Sequence, residues 1–315
     1  MWLSRSRCAK VIHTVVAKTL EDLAKSKAQR VEIAEQLGGD IPTSILRHNS
    51  TDKAMDLLVE EHGRSYTDTG FAADNPDHPH AHLFKNSGMD VRCGALSRFP
   101  QNVGRILLRL YTRRGQTVVD PFAGHNSRME LCWRDGRNYI GCDISHEFMQ
   151  ANFRLRDMLL AENAGDMFSA ERCATITLHE CDSRAMPVAN NAGDFTITSP
   201  PYWDIEYYGD EAGQLGKDNS YDEFLRRLGK VACENFRCLR SGSFCVWCVN
   251  DFRKDGKFYS YHMHTAQLLR DAGFKQHDIA IIDLGNSMRA AFATQIVSTK
   301  ILPKRHEYAL VFVKP

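Results

Sequence analysis

Between residues 98 and 315, short apolar runs alternate with stretches whose apolar residues recur at helical spacing, and this alternation limits the fold more than any other feature of the chain. The runs lie at about 117–120, 138–143, 174–179, 194–198, 243–249, 277–282 and 307–313. Helical patterns separate most of them, as in NVGRILLRLYTRR, SRMELCWRDG, HEFMQANFRLRDMLLAE, YDEFLRRLGKVACENFRCL and MHTAQLLRDAG. A strand reaches a parallel neighbour only through a long crossover, and a helix is the usual one. The spacing therefore predicts an α/β domain, a mostly parallel sheet covered on both faces. The last two runs are joined by a helix-poor connection, which leaves room for an antiparallel strand at the finish.

Residues 1–97 predict an N-terminal helical region and linker loop, with 98–315 as the main domain. VIHTVVAKTLEDLAK is helical by spacing, and AQRVEIAEQLGG and STDKAMDLLVEEHG each end at glycine, a common helix stop. These helices form either a helix-turn-helix or a small cap on the main domain; the cap is the simpler reading. DNPDHPHAH is rich in histidine, but without a partner cluster it reads as a solvated, proline-stiffened loop and not a metal site. The start of the chain shows no secretory pattern and no 18-residue apolar stretch occurs, so a cytoplasmic protein without a membrane span is expected. Its ten cysteines then read as free thiols, and the lone C-x-x-C pair Cys245 and Cys248 as core residues of a buried strand. The net charge is +1, so any nucleic-acid-binding surface must be local.

Two segments carry chemistry. In VVDPFAGHNSRMELCWRDGRNYIGCDIS, a strand ends in Asp120, Pro121 stiffens its exit, and Gly124 opens the turn before a helix. About 20 residues on, a second strand ends in Asp143, the place where an acid accepts hydrogen bonds from ribose hydroxyls. G-x-G-x-x-G and G-x-x-x-x-G-K-[ST] are both missing, which disfavours a dinucleotide or a nucleoside triphosphate and favours an adenosine-bearing ligand without a pyrophosphate. The other segment is TSPPYW, residues 198–203. Prolines fix their own φ and keep a free carbonyl acceptor. With the Ser199 hydroxyl beside them and the faces of Tyr202 and Trp203 nearby, the tip suits a planar group bearing an NH2, such as a base drawn from its stack.

Together, DPFAG and TSPPYW resemble the amino-methyltransferases of DNA, which move a methyl group from S-adenosyl-L-methionine to cytosine N4 or adenine N6. SRFPQNVGRILLRLYTRRGQTVVDPFAG, NYIGCDIS and HEYALVFVKP are similar to the family's entry helix with its cofactor segment, its ribose-binding segment and its closing strand, so the resemblance covers about 98–315. It implies a Rossmann-like seven-stranded methyltransferase sheet with an antiparallel last strand. It implies that Asp120, Phe122 and Gly124 meet the methionine end of the cofactor, that Asp143 holds the ribose, that Asp182 lies near the adenine, and that Phe99 and Pro100 close over it. The chain departs from the family's G-S-G-T at Gly124-His125-Asn126-Ser127, which makes His125 and Asn126 candidates for contact with substrate or cofactor. The cofactor motif also precedes the catalytic one, the reverse of many relatives.

The resemblance further implies a catalytic set of Ser199, Pro200, Pro201 and Tyr202. The lone pair of an exocyclic amine is delocalised into the ring. Acceptors at the Ser199 hydroxyl and the Pro200 carbonyl favour a more tetrahedral nitrogen, whose lone pair then points at the methyl. Tyr202 stacks on the flipped base; Trp203 does the same or packs beneath the loop. Serine before the prolines is typical of cytosine-N4 enzymes, with adenine N6 as the alternative. Methylation of an RNA amine and a DNA-binding regulator with a decayed methyltransferase domain are the rival readings. DNA contacts are sought among Arg98, Arg105, Arg109, Arg113 and Arg114, then Arg253, Lys254 and Lys257, then Lys300, Lys304 and Arg305. The glycine-rich YYGDEAGQLGKDNSYDEF reads as a mobile loop that folds over the substrate. A homodimer and a cognate restriction endonuclease are partners that such a role leaves room for.

Overall fold

The computed structural model describes residues 20–37, 42–47, 99–124, 127–164, 174–206, 208–284, 293–302 and 304–315. The chain divides into two compact units, Met1–Ile41 and Pro42–Pro315, whereas the sequence pattern places a boundary at 97/98. In the first unit the described residues form one helix, α1 (Leu20–Leu37). It runs through two segments that the sequence suggests are separate, because Ser26 and Lys27 between them include no helix breaker.

The second unit is built on an eight-stranded sheet in the order β1-β9-β10-β6-β5-β2-β3-β4. Its strands are β1 (Ile45–Arg47), β2 (Thr117–Asp120), β3 (Asn138–Asp143), β4 (Ile176–Glu180), β5 (Gly193–Thr198), β6 (Leu239–Val249), β9 (Lys275–Asp283) and β10 (His306–Val313). β7 (Phe252–Lys254) and β8 (Lys257–Tyr259) form a separate hairpin. Strand β10 runs antiparallel to both of its neighbours, β6 and β9, and every other pairing in the large sheet is parallel. This is the Rossmann-like α/β sheet with an antiparallel last strand that the sequence implies, with one strand more than seven. The addition is β1, which lies in a stretch whose sequence reads as helical. Three residues are too few to display a period of two. Pairing fixes them instead: Ile45 sits opposite Ile281 and the Ile281 N–H donates to the Ser44 carbonyl at 2.7 Å.

Helices α2 (Gln101–Tyr111), α3 (Ser127–Arg134), α4 (His146–Ala164), α5 (Tyr221–Cys238), α6 (Tyr261–Asp271) and α7 (Ala293–Thr299) supply the layers. In β6, Val246 and Cys248 belong to one apolar cluster, with Leu107, Leu108 and Trp133 of α2 and α3. Their neighbours Cys245, Trp247 and Val249 belong to another, with Phe224, Leu228 and Tyr261 of α5 and α6. A strand covered on both faces reads as a continuous apolar run, and SFCVWCV is one. Cys245 and Cys248 are accordingly buried on β6. Among the described residues no helix is long and apolar enough to cross a membrane.

Strand order reverses between β2 and β5: the chain steps outward from β2 to β3 and β4 on one side, and from β5 to β6 on the other. In an open α/β sheet the crevice at such a switch point, beyond the carboxyl ends of the strands, is where ligands bind.

Candidate active site

The loops leaving β2, β3, β4 and β5 meet over that switch point and line one cleft of about 950 Å³, open solvent included. Asp143 ends β3. Its Oδ2 accepts from the Gly124 N–H at 2.8 Å and its Oδ1 from the Ser145 N–H at 2.9 Å, so one carboxylate pins the glycine turn to the neighbouring strand. Gly124 has φ +57°, in the left-handed region that favours glycine, while a Cβ there would meet only the Phe122 carbonyl oxygen at 3.8 Å. Conformation, not crowding, demands the glycine. Burial pushes the Asp143 carboxyl up to about 6, against the pull of those two amides.

Asp182 follows β4, caps the short 3-10 turn Ser183–Ala185 and accepts from the Arg184 N–H at 2.9 Å. The Ser183 hydroxyl donates to the Pro121 carbonyl at 2.5 Å, which ties this turn to the exit of β2. Asp182, Asp143, Gly124, Phe122 and Phe99 all line the cleft. Pro100 is buried just before α2 and does not line it.

Asp120 differs from its expected placement. It is fully buried and does not face the cleft. Its Oδ2 accepts from Arg128 Nε at 2.6 Å and the Tyr139 hydroxyl at 2.8 Å; its Oδ1 accepts from the Thr198 hydroxyl at 2.6 Å and the Phe122 N–H at 3.1 Å. Both oxygens are occupied, and the carboxylate ties together β2, β3, the end of β5 and α3. Arg128 is the residue that faces the cleft in this network, with its guanidinium also donating to the Phe122 carbonyl and lying 5.4 Å from the Phe99 ring centre.

On the far side, Ser199, Pro200, Pro201 and Tyr202 line the same cleft. The corner is held from behind. The Tyr261 hydroxyl donates to the Pro201 carbonyl at 2.8 Å, the Tyr202 N–H donates to the Tyr208 hydroxyl at 3.1 Å, and that hydroxyl donates to Glu206 Oε2 at 2.7 Å. Among the described residues the Ser199 hydroxyl and the Pro200 carbonyl have no hydrogen-bond partner, so both acceptors stay open toward the cleft. Burial holds the Glu206 carboxyl above its usual range, and burial with the Glu206 charge pushes Glu307 of β10 up to about 7.

Trp203 resolves to one of its two expected roles. It is 8% exposed, its indole N–H donates to the Asp218 carbonyl at 2.9 Å, and its ring packs on Tyr221 and Tyr259 beneath the loop. His125 and Asn126 lie outside the described residues. The glycine-rich segment is stitched down where its sequence suggests mobility: Glu211 accepts from the His146 N–H at 2.9 Å, and Arg227 pairs with Asp218 and donates to the Gly213 carbonyl at 2.6 Å. Its Gly213, Gln214 and Leu215 form the cleft's rim. Of the early arginines, Arg105 is buried and Arg109 pairs with Asp135 at 2.5 Å, so that helix face points inward; Arg98 lies outside the described residues.

Arg128, Glu206, Tyr208 and Tyr261 are the residues that sequence reasoning passes over. Arg128 had one available signal, a cation in the first turn of a helix, the end where positive charge is disfavoured. The two tyrosines and the glutamate had none, since their partners are set by tertiary contact.

No curated protein matches the chain. Among solved structures, a SAM-dependent methyltransferase of Methanosarcina mazei is similar at 12% identity and TM-score 0.45, over 70% of this chain and 99% of that one. TrmN of Thermus thermophilus is similar at 16% and 0.44, over 70% and 51%. A candidate DNA modification methylase, also of Thermus thermophilus and complexed with S-adenosyl-L-methionine, is similar at 27% and 0.32, over 42% and 53%. The chain thus spans about half the length of the latter two. At TM-scores below 0.5 these likenesses say nothing about substrate. Residues 60–154, which include the DPFAG turn and the strand ending in Asp143, match the N6/N4 family model described as DNA methylase. Over residues 60–154, just under a third of its length, the chain is thus similar to the N6/N4 DNA methylase family.

Proposed function

We propose that the chain transfers a methyl group from S-adenosyl-L-methionine to the exocyclic amine of a base in DNA, cytosine N4 in preference to adenine N6. One observation carries the reading: the Ser199–Tyr202 corner and the Gly124, Asp143 and Asp182 group open onto a single cleft. Its walls fit the cofactor by chemistry. Asp143 has a second lone pair on each oxygen for the ribose hydroxyls, Asp182 offers acceptors toward the adenine, and Phe99, Phe122, Phe148 and Leu215 provide apolar contact. When bound, the cofactor supplies a methyl on a sulfonium.

The protein's part is to position and to desolvate. The Ser199 hydroxyl and the Pro200 carbonyl accept the two amine hydrogens and turn the nitrogen lone pair toward the cofactor side. Proline rings fix that geometry before the base arrives. Orientation of this kind supplies up to about 7–11 kcal/mol in well-aligned systems. Tyr202 offers a flat face to the base, and its main chain is held by Tyr208. Asp120 acts from outside the cleft, by holding β2, β5 and Arg128 in register.

Titration calorimetry with S-adenosyl-L-methionine and transfer of labelled methyl to DNA and to tRNA test the reading together. We expect cofactor binding and label on DNA as N4-methylcytosine. Label on tRNA alone overturns the substrate, N6-methyladenine overturns the base, and absence of cofactor binding leaves the regulator reading.

A further inference from the structure

We propose that the β7–β8 hairpin grips duplex DNA beside the target base, with the Phe258 ring entering the gap that the base leaves in the stack. The inference rests on DNA being the substrate. The hairpin pairs Phe252 with Tyr259, Arg253 with Phe258 and Lys254 with Lys257. Its turn, Asp255-Gly256, has φ +50° and +76°, both positive, the mirror-image turn whose twist matches the strands it joins. Side chains alternate between two faces along each strand.

The inner face is welded to the catalytic corner. Phe252 stacks on Tyr259 at 5.0 Å, and Tyr259 packs against Tyr221 at 4.7 Å and Trp203 at 5.8 Å. Lys254 pairs with Asp204 and lies 5.1 Å from the Trp203 ring centre. Trp203 directly follows Tyr202, so the hairpin's place is fixed relative to the cleft mouth.

The outer face is unlike a surface made for water. Phe258 is 44% exposed, with the Arg253 guanidinium 5.0 Å and the Lys304 ammonium 5.6 Å from its ring centre. Among the described residues, neither cation pairs with a carboxylate. An exposed aromatic beside two like charges is answered by a polyanion with stacked rings: phosphates neutralise the cations, and base faces take the ring. Opening a duplex at one base costs unstacking energy, which is least when the target is already unpaired. An aromatic wedge beside the mouth offsets that cost.

The test measures methyl transfer by the full chain to a paired duplex and to the same target opposite an abasic site. Phe258→Ala should lower kcat/KM on the paired duplex about ten-fold or more, with little change on the unpaired target, and Phe258→Trp should restore it. Arg253→Gln and Lys304→Gln should each reduce the slope of log affinity against log salt by about 0.9. Equal rates for wild type and Phe258→Ala on the paired duplex overturn the hairpin while leaving DNA methylation intact. A wild-type chain that methylates no DNA overturns both. A salt slope unmoved by both cation variants overturns the phosphate contacts.

Discussion

At the scale of single residues, the cleft separates groups that meet a ligand from groups that hold them. On the proposed function Ser199 is of the first kind: it lines the cleft and its hydroxyl bonds to no described residue. Ser199→Ala should therefore lower kcat by about 10- to 100-fold, the worth of a hydrogen bond to a charge-bearing group, and leave the calorimetric Kd for S-adenosyl-L-methionine unchanged. Asp143 should behave in the opposite way. Asp143→Ala should weaken cofactor binding, and the wild-type affinity should depend on pH with a definite sign. Burial raises the folded carboxyl to about 6, above its ordinary value, so the stability it contributes is present below about pH 4 and is lost as pH rises through about 6. Ribose hydroxyls as donors favour the ionised form. Cofactor affinity should then rise as pH climbs through about 6, and a flat calorimetric profile would remove Asp143 from the ribose. Asp143, Gly124 and Ser199 were legible because strand ends announce themselves. The role of Asp120 was not, since Thr198, 78 positions away in sequence, is one of its four partners.

At the scale of elements, legibility followed pattern length. Strands β2 and β3 have the bounds that their apolar runs predict, and β6 is longer only at its start. Strand β1 gave no readable pattern. The β7–β8 hairpin did carry a local signal, Asp255-Gly256, but its flanking strands of three residues each look like a loop rich in charge. The Ser199–Tyr202 corner shows the same limit. TSPPYW marks where the chain turns, yet the turn is held by Tyr261 on α6 and by Tyr208 in the following loop. Tyr261→Phe deprives the Pro201 carbonyl of its donor in a buried place. The expected cost is about 1–3 kcal/mol of stability, read as a lower urea midpoint, together with a fall in kcat at unchanged cofactor Kd. If the midpoint and kcat both hold, the corner is rigid without α6, and the prolines alone account for it.

At the scale of the molecule, the sheet puts four strand exits and one closing loop around a single space, so whatever fills that space bridges parts of the chain far apart in sequence. The lining runs from Phe99 to Val231. An unfolded chain offers no such site, and a ligand that binds only the folded form stabilises it by mass action, about 2.7 kcal/mol at a hundred times its Kd. For a unit of this size that corresponds to a rise in Tm of roughly 5 °C. S-adenosyl-L-methionine at that excess should produce this shift in the wild type, and Asp143→Ala should lose most of it at the same concentration. Phe258→Ala should keep it whole, because the hairpin is not part of the lining. The three proteins divide the molecule into a cofactor end and a nucleic-acid end. A shift of equal size in all three would mean that the cofactor is held somewhere other than the carboxyl ends of β2 and β3.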